Sequence, residues 1–90
     1  MRIKNGFVVR EVCAQKVVLA EGTSNIDFGK LLTLNDTAEF LWNQAESQGD
    51  FTVESLTTAL CGEYDVDSSQ AMTDVDATIH SWLEAGVIEN

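Results

Sequence analysis

Hydrophobic positions follow two different periods along this chain. Up to residue 34 they alternate or run together, and after it they recur about every 3.6 residues. FVVREVC at positions 7–13 is rich in β-branched and apolar residues, with Phe7, Val9 and Cys13 on one face. KVVLA at 16–20 repeats that character after Ala14-Gln15, so the two predict a hairpin without the Asn-Gly or Asp-Gly turn that hairpins favour. EGTSN at 21–25 reads as a loop. Ile26 and Phe28 alternate around Asp27 before Lys30, Leu31, Leu32, Thr33 and Leu34 resume the extended pattern, which predicts a third strand bent at Gly29.

The change of period falls inside LLTLNDTAEFLW, at Asn35-Asp36-Thr37. Ala38, Leu41, Trp42 and Ala45 stand at i, i+3, i+4 and i+7, the stripe of an amphipathic helix opened by Asn35 or Asp36. A cap side chain accepts the free N–H groups of the first turn, so strand and helix need no loop between them. With Asp36 as the cap, Glu39 completes a capping box. The helix stops near Gln48-Gly49-Asp50. Thr52 caps a second helix with Val53, Leu56, Leu60 and Tyr64 as its stripe. Asp67 or Ser68 caps a third, whose core face is Ala71, Met72, Val75, Ile79, Trp82 and Leu83. Gly86 suits the left-handed position past its end, with Val87 folding back and VIE adding a short strand. The sum is an α+β domain over 1–90, a three-stranded antiparallel sheet followed by three helices in a winged-helix-like arrangement.

Composition narrows the function. Ninety residues, 44% of them hydrophobic, suffice for one core and one domain. Cys13 and Cys61 lie far apart in no metal-ligand spacing and read as buried thiols in a reducing compartment. The N-terminal residues lack the charged start and apolar run of a signal peptide, and no stretch reaches the length of a membrane span, so the chain reads as cytoplasmic. The net charge of −10 is unevenly spread. All five cations (Arg2, Lys4, Arg10, Lys16, Lys30) lie in the first thirty residues with three acids, whereas the last sixty carry twelve acids and no Lys or Arg. A winged helix commonly reads DNA, but helices without a cation repel phosphate and lack the side chains that read base edges, so no nucleic-acid partner is expected.

Catalytic patterns are scarce. His80 is the only histidine, and the acids Asp65, Asp67, Asp74 and Asp76 lack the spacing of a calcium loop. Neither a nucleophile elbow nor a phosphate-binding glycine loop occurs. Asp67-Ser68 imitates the attachment site of an acyl carrier protein, yet those domains are helical bundles and the first third here is sheet. The chain is read as a non-enzyme with no metal and no cofactor.

The order FVVREV, KVVLAEG, LTLNDTAEFLW, TVESLTTAL, EYDVD and DVDATIHSWLEAGVIE resembles the PqqD-like family, the peptide-recognition domains of ribosomally made, modified peptides. Its most specific part is Leu34, Asn35, Thr37, Leu41 and Trp42, supported by Asp74-Val75 and the ending Ala85-Gly86-Val87-Ile88. Members devoted to pyrroloquinoline quinone carry a Pro-Glu-Gly turn where this chain has Ala20-Glu21-Gly22, so manufacture of that quinone is not implied. Many relatives also have glycine at the place of Ala38.

The resemblance implies an adaptor that captures the leader segment of a precursor peptide and presents it to a modifying enzyme, often a radical S-adenosylmethionine enzyme. An exposed third strand suits that role, because its unpaired N–H and C=O groups can take up an extended peptide. The expected site is the backbone of Lys30, Leu31, Leu32, Thr33 and Leu34, with Asp74, Val75, Thr78 and Trp82 on the third helix. The opposite flank of that helix, Met72, Asp76, His80 and Leu83, is the other choice, and Val75 and Trp82 as plain core stays open. Acidic helices favour a basic leader. Two alternatives stand beside the adaptor: an acidic domain that binds a basic protein surface, and a regulator that dimerises through its open sheet edge.

Overall fold

The computed structural model describes residues 1–20 and 32–89. The hairpin forms as the alternation implies: β2 (Phe7–Val12) pairs antiparallel with β3 (Gln15–Ala20), Val9 opposite Val18. On the far side of β3 lies β4 (Leu32–Leu34), with Val17 opposite Thr33 and Lys16 opposite Leu34. The sheet order is β2-β3-β4. The earlier part of the expected third strand, with Ile26, Phe28, Gly29, Lys30 and Leu31, lies outside the described residues.

The hairpin turn departs from its expected chemistry. Cys13 and Ala14 are its two central residues, and both have positive φ, 53° and 66°. This is the conformation that twisted two-residue hairpins require, adopted here without the Asn-Gly pair that suits it. Cys13 is therefore at an exposed tip and not, as its alternation with Phe7 and Val9 suggested, a buried thiol at a strand end; Cys61 is half-buried. Each residue with a Cβ costs about 1 kcal/mol or more in the left-handed region. Replacing the pair by Asn-Gly (Cys13→Asn with Ala14→Gly) is expected to stabilise the domain by about 1–2 kcal/mol, read as a higher denaturation midpoint at unchanged slope.

α1 (Asp36–Gln48) follows β4 after a single residue. Asn35, in extended conformation, is its cap: Oδ1 accepts the Ala38 N–H at 2.8 Å. Asp36 is thus inside the first turn, and the expected box with Glu39 does not form. The reciprocal box occurs instead at α2 (Val53–Glu63), where Thr52 Oγ1 accepts the Ser55 N–H and Ser55 Oγ accepts the Thr52 N–H. α3 (Ser68–Ala85) starts at Asp67, whose carboxylate takes the Ser69 hydroxyl and caps no backbone N–H. It ends as expected at Gly86, φ 76°, whose N–H reaches Leu83 O while Val87 N–H reaches Trp82 O.

β5 (Ile88–Glu89) pairs with β1 (Arg2–Ile3), a two-residue strand too short to leave a periodic signal. The Met1 ammonium donates to Asp50 Oδ1 at 2.9 Å and holds that carboxyl below its ordinary range.

The core lies where the helices meet the hairpin. Trp42 of α1 and Trp82 of α3 meet edge to face at 5.2 Å between ring centres, and Phe51 adds a second such contact to Trp82 at 6.5 Å. Trp42 keeps its polar handle by donating Nε1–H to Glu46 Oε1. The buried stripe of α3 is Ala71, Val75, Ile79 and Trp82, narrower than its periodicity implies. Met72 and Leu83, at the borders of that arc, are 46% and 39% exposed, as is Tyr64 at the end of α2 at 38%. Only the middle of the arc meets α2 and the sheet, so side chains at its margins stay in water.

Candidate functional site

β4 has a neighbour on one side only among the described residues, since β5, which could have covered its outer border, pairs with β1. In an antiparallel ladder alternate residues turn their N–H and C=O groups towards the partner strand, so the others face outward from β4. Asn35 fixes where the strand ends. Because its side chain closes the first turn of α1, β4 passes into the helix through this one residue.

Two open hollows lie between β4, the start of α1 and α3. The first, about 250 Å³, is bounded by Leu32 and Thr33 on the strand, Asn35 and Ala38 at the helix start, and Thr78, Ser81 and Trp82 across from them. The second, about 300 Å³, shares Asn35, Ala38, Ala77 and Thr78 and extends to Thr37 and Asp74. The shared residues make them one groove running along α3 beside the strand. Its lining is mixed, with the apolar Leu32, Ala38, Ala77 and Trp82 set among hydroxyl, amide and carboxylate groups. Thr78 is already tied down, its hydroxyl donating to Asp74 O at 2.9 Å, and Asp74 Oδ1 accepts from Gln70 at 3.0 Å. The geometry offers main-chain pairing on one wall and shallow side-chain seats on the other. It offers no nucleophile beside a base, and no group of three potential metal ligands occurs among the described residues.

Of the residues expected from sequence, Leu32, Thr33, Thr78 and Trp82 border the first hollow and Asp74 the second. Leu34 is buried and borders neither hollow. Val75 is 0% exposed and faces the core, not the groove. Lys30 and Leu31 lie outside the described residues. Met72, Asp76, His80 and Leu83, on the opposite flank, border neither hollow; His80 Nε2 sits 3.2 Å from Glu84 Oε1, one turn along the surface. Sequence reading missed Ala77 and Ser81, which with Asp74, Thr78 and Trp82 form an i, i+3, i+4, i+7, i+8 stripe beside the core stripe. Their signal was present as a run of small and polar residues where a helix flank would ordinarily carry long charged ones.

The family described as coenzyme PQQ synthesis protein D (PqqD) matches residues 15–88, from the second strand of the hairpin to the last strand. The chain belongs to the PqqD family. Among solved structures, the chain is similar to one titled TbiB1 in complex with the TbiA(beta) leader peptide, at 20% identity and a TM-score of 0.75. That likeness covers 100% of this chain and 96% of the other, so the two share their fold. None of the curated proteins matches. The expected α+β order, three antiparallel strands and then three helices, is the order observed. No helix among the described residues is long and apolar enough to cross a membrane.

Proposed function

We propose that this PqqD-family chain is a non-catalytic adaptor that captures the leader segment of a ribosomal precursor peptide and presents it to a modifying enzyme. The leader adds as a strand to the free border of β4, and its side chains occupy the groove along α3. The observation that carries this reading is a strand, β4, with one border unpaired among the described residues and a groove lined by Ala38, Ala77, Thr78 and Ser81 at its side. Support comes from the family and from the leader peptide named in the TbiB1 structure. The proposed contacts are the backbone of Lys30, Leu31, Leu32, Thr33 and Leu34, with Asp74, Thr78 and Trp82 opposite. We read the arrangement as winged-helix-like, with the β2–β3 hairpin as the wing. The modifying enzyme is of the radical S-adenosylmethionine type in this reading, and both partners meet in the cytoplasm.

Titration of isotope-labelled protein with candidate leader peptides tests the proposal. Shifts confined to β4, the groove and α3 are expected; silence, or shifts on the hairpin alone, favours the acidic interaction domain or the dimeric regulator instead. Charge gives a second expectation. The last sixty residues carry twelve acids without Lys or Arg, and Asp74 stands on the groove, so a basic leader is preferred and its affinity falls steeply with added salt. Salt-independent binding would reject that electrostatic part while leaving strand addition intact.

A further inference from the structure

A second surface, on another face of α1, has the properties of a protein contact. Phe40 stands in α1 next to a hollow of about 300 Å³ that it shares with Asp36, Glu39 and Asn43. The ring of Tyr64, at the end of α2, packs edge-on against Phe40 with centres 5.6 Å apart. Tyr64 and Val66 are 38% and 39% exposed, two of the four exposed large apolar side chains among the described residues. The Val66 N–H donates to Tyr64 O at 3.0 Å, which holds the two residues together past the helix end. Apolar side chains gathered this way on a small domain mark an interaction surface more often than chance exposure.

The surroundings specify the partner. Asp36 and Glu39 flank Phe40, while Glu63 and Asp65 flank Tyr64, and none of these four has an ion-pair partner among the described residues. The exposed Tyr64 ring and the half-buried Phe40, beside carboxylates without an ion-pair partner among the described residues, suit a guanidinium, which stacks on a ring and pairs with the acids at once. A nucleic acid is repelled by the same charge. We propose that this aromatic patch is the docking surface for a partner protein that presents arginines around an apolar side chain. Identifying the partner as the modifying enzyme rests on the adaptor reading; the chemistry of the surface does not. The peptide groove and the patch use different residues of α1 and its cap, Asn35, Thr37 and Ala38 against Asp36, Glu39, Phe40 and Asn43, so leader and partner can be held together.

The test uses the intact labelled chain and the synthetic peptide acetyl-Arg-Leu-Leu-Arg-amide. Shifts are expected to centre on Phe40, Asn43, Tyr64 and Val66, and to be absent with acetyl-Glu-Leu-Leu-Glu-amide. Affinity is expected to fall at least about fivefold in Tyr64→Ser, which leaves the helices intact, and again in Asp36→Asn with Glu39→Gln, which leaves the rings intact. A prebound leader peptide is expected to leave the Arg peptide's shifts in place, so failure of leader binding and failure of the patch appear in separate titrations. Shifts spread over every acidic segment, including Asp76 and Glu84, overturn the proposal. So does unchanged affinity in both variants, or a sedimentation dimer that occupies the patch with a second copy.

Discussion

Replacing Trp82 by alanine is expected to cost this domain about 3–5 kcal/mol of stability. The indole is 1% exposed and is the meeting point of three elements, edge-on to Trp42 of α1 and to Phe51 ahead of α2. Truncating a buried aromatic to alanine costs about 3–5 kcal/mol, from lost transfer energy and the cavity left behind. A chain of 90 residues has about 5–13 kcal/mol of total stability, so the loss is a large share of it. Trp82→Phe costs less, because a ring remains against Trp42. Urea denaturation of the three proteins checks the order. A loss below about 1 kcal/mol in the alanine variant would mean that the three rings do not hold the helices together. Because Trp82 also borders the first hollow, the core and one wall of the groove are the same side chain, and the groove keeps its shape only while the core does.

Blocking the groove is expected to weaken leader capture without that loss of stability. Ala77 is exposed, stands at the junction of both hollows and is absent from the core. Ala77→Trp places an indole over the seats between Ala38 and Thr78 while the buried stripe of α3 is untouched. Affinity for a leader peptide is expected to drop at least about tenfold, roughly 1.4 kcal/mol, with a change in stability of about 0.5 kcal/mol or less, as for other surface substitutions. Ala77→Ser, which keeps the volume small, is expected to bind as the parent does. Calorimetric titration of the three, beside their denaturation curves, separates occlusion from unfolding. Equal affinity of the tryptophan variant would place the peptide elsewhere.

Most of the fold was legible because its signals were periodic and long. The stripe Ala38, Leu41, Trp42, Ala45 and the glycine stop at Gly86 each name a helix face or end by a repeated or geometrically forced requirement. What escaped were features that depend on neighbours far along the chain. Arg2–Ile3 becomes a strand only because Ile88–Glu89 arrives beside it. Cys13 and Ala14 take positive φ because the strands they join dictate the turn, against their own preference. Met72 and Leu83 satisfy helical spacing and still stay in water, since periodicity gives the direction of a core face but not its width.

The groove was half legible. The strand's Leu32 and Thr33 and the flank Asp74, Thr78 and Trp82 followed from motif and spacing, whereas Val75, in the same motif, belongs to the core. Ala77 and Ser81 were passed over because small residues carry no chemistry of their own. Their contribution is the space they leave, which becomes visible only when β4 and Ala38 stand opposite.

In the proposed complex a foreign main chain completes the sheet beside β4. The direct measurement is a set of isotope-filtered nuclear Overhauser contacts at saturating leader peptide. Contiguous cross-strand contacts between peptide backbone protons and those of Leu32, Thr33 and Leu34 are predicted, together with slowed amide exchange on the outward-facing groups of β4. Peptide contacts that reach only helix side chains, or that line up along the free border of β2, would contradict the account.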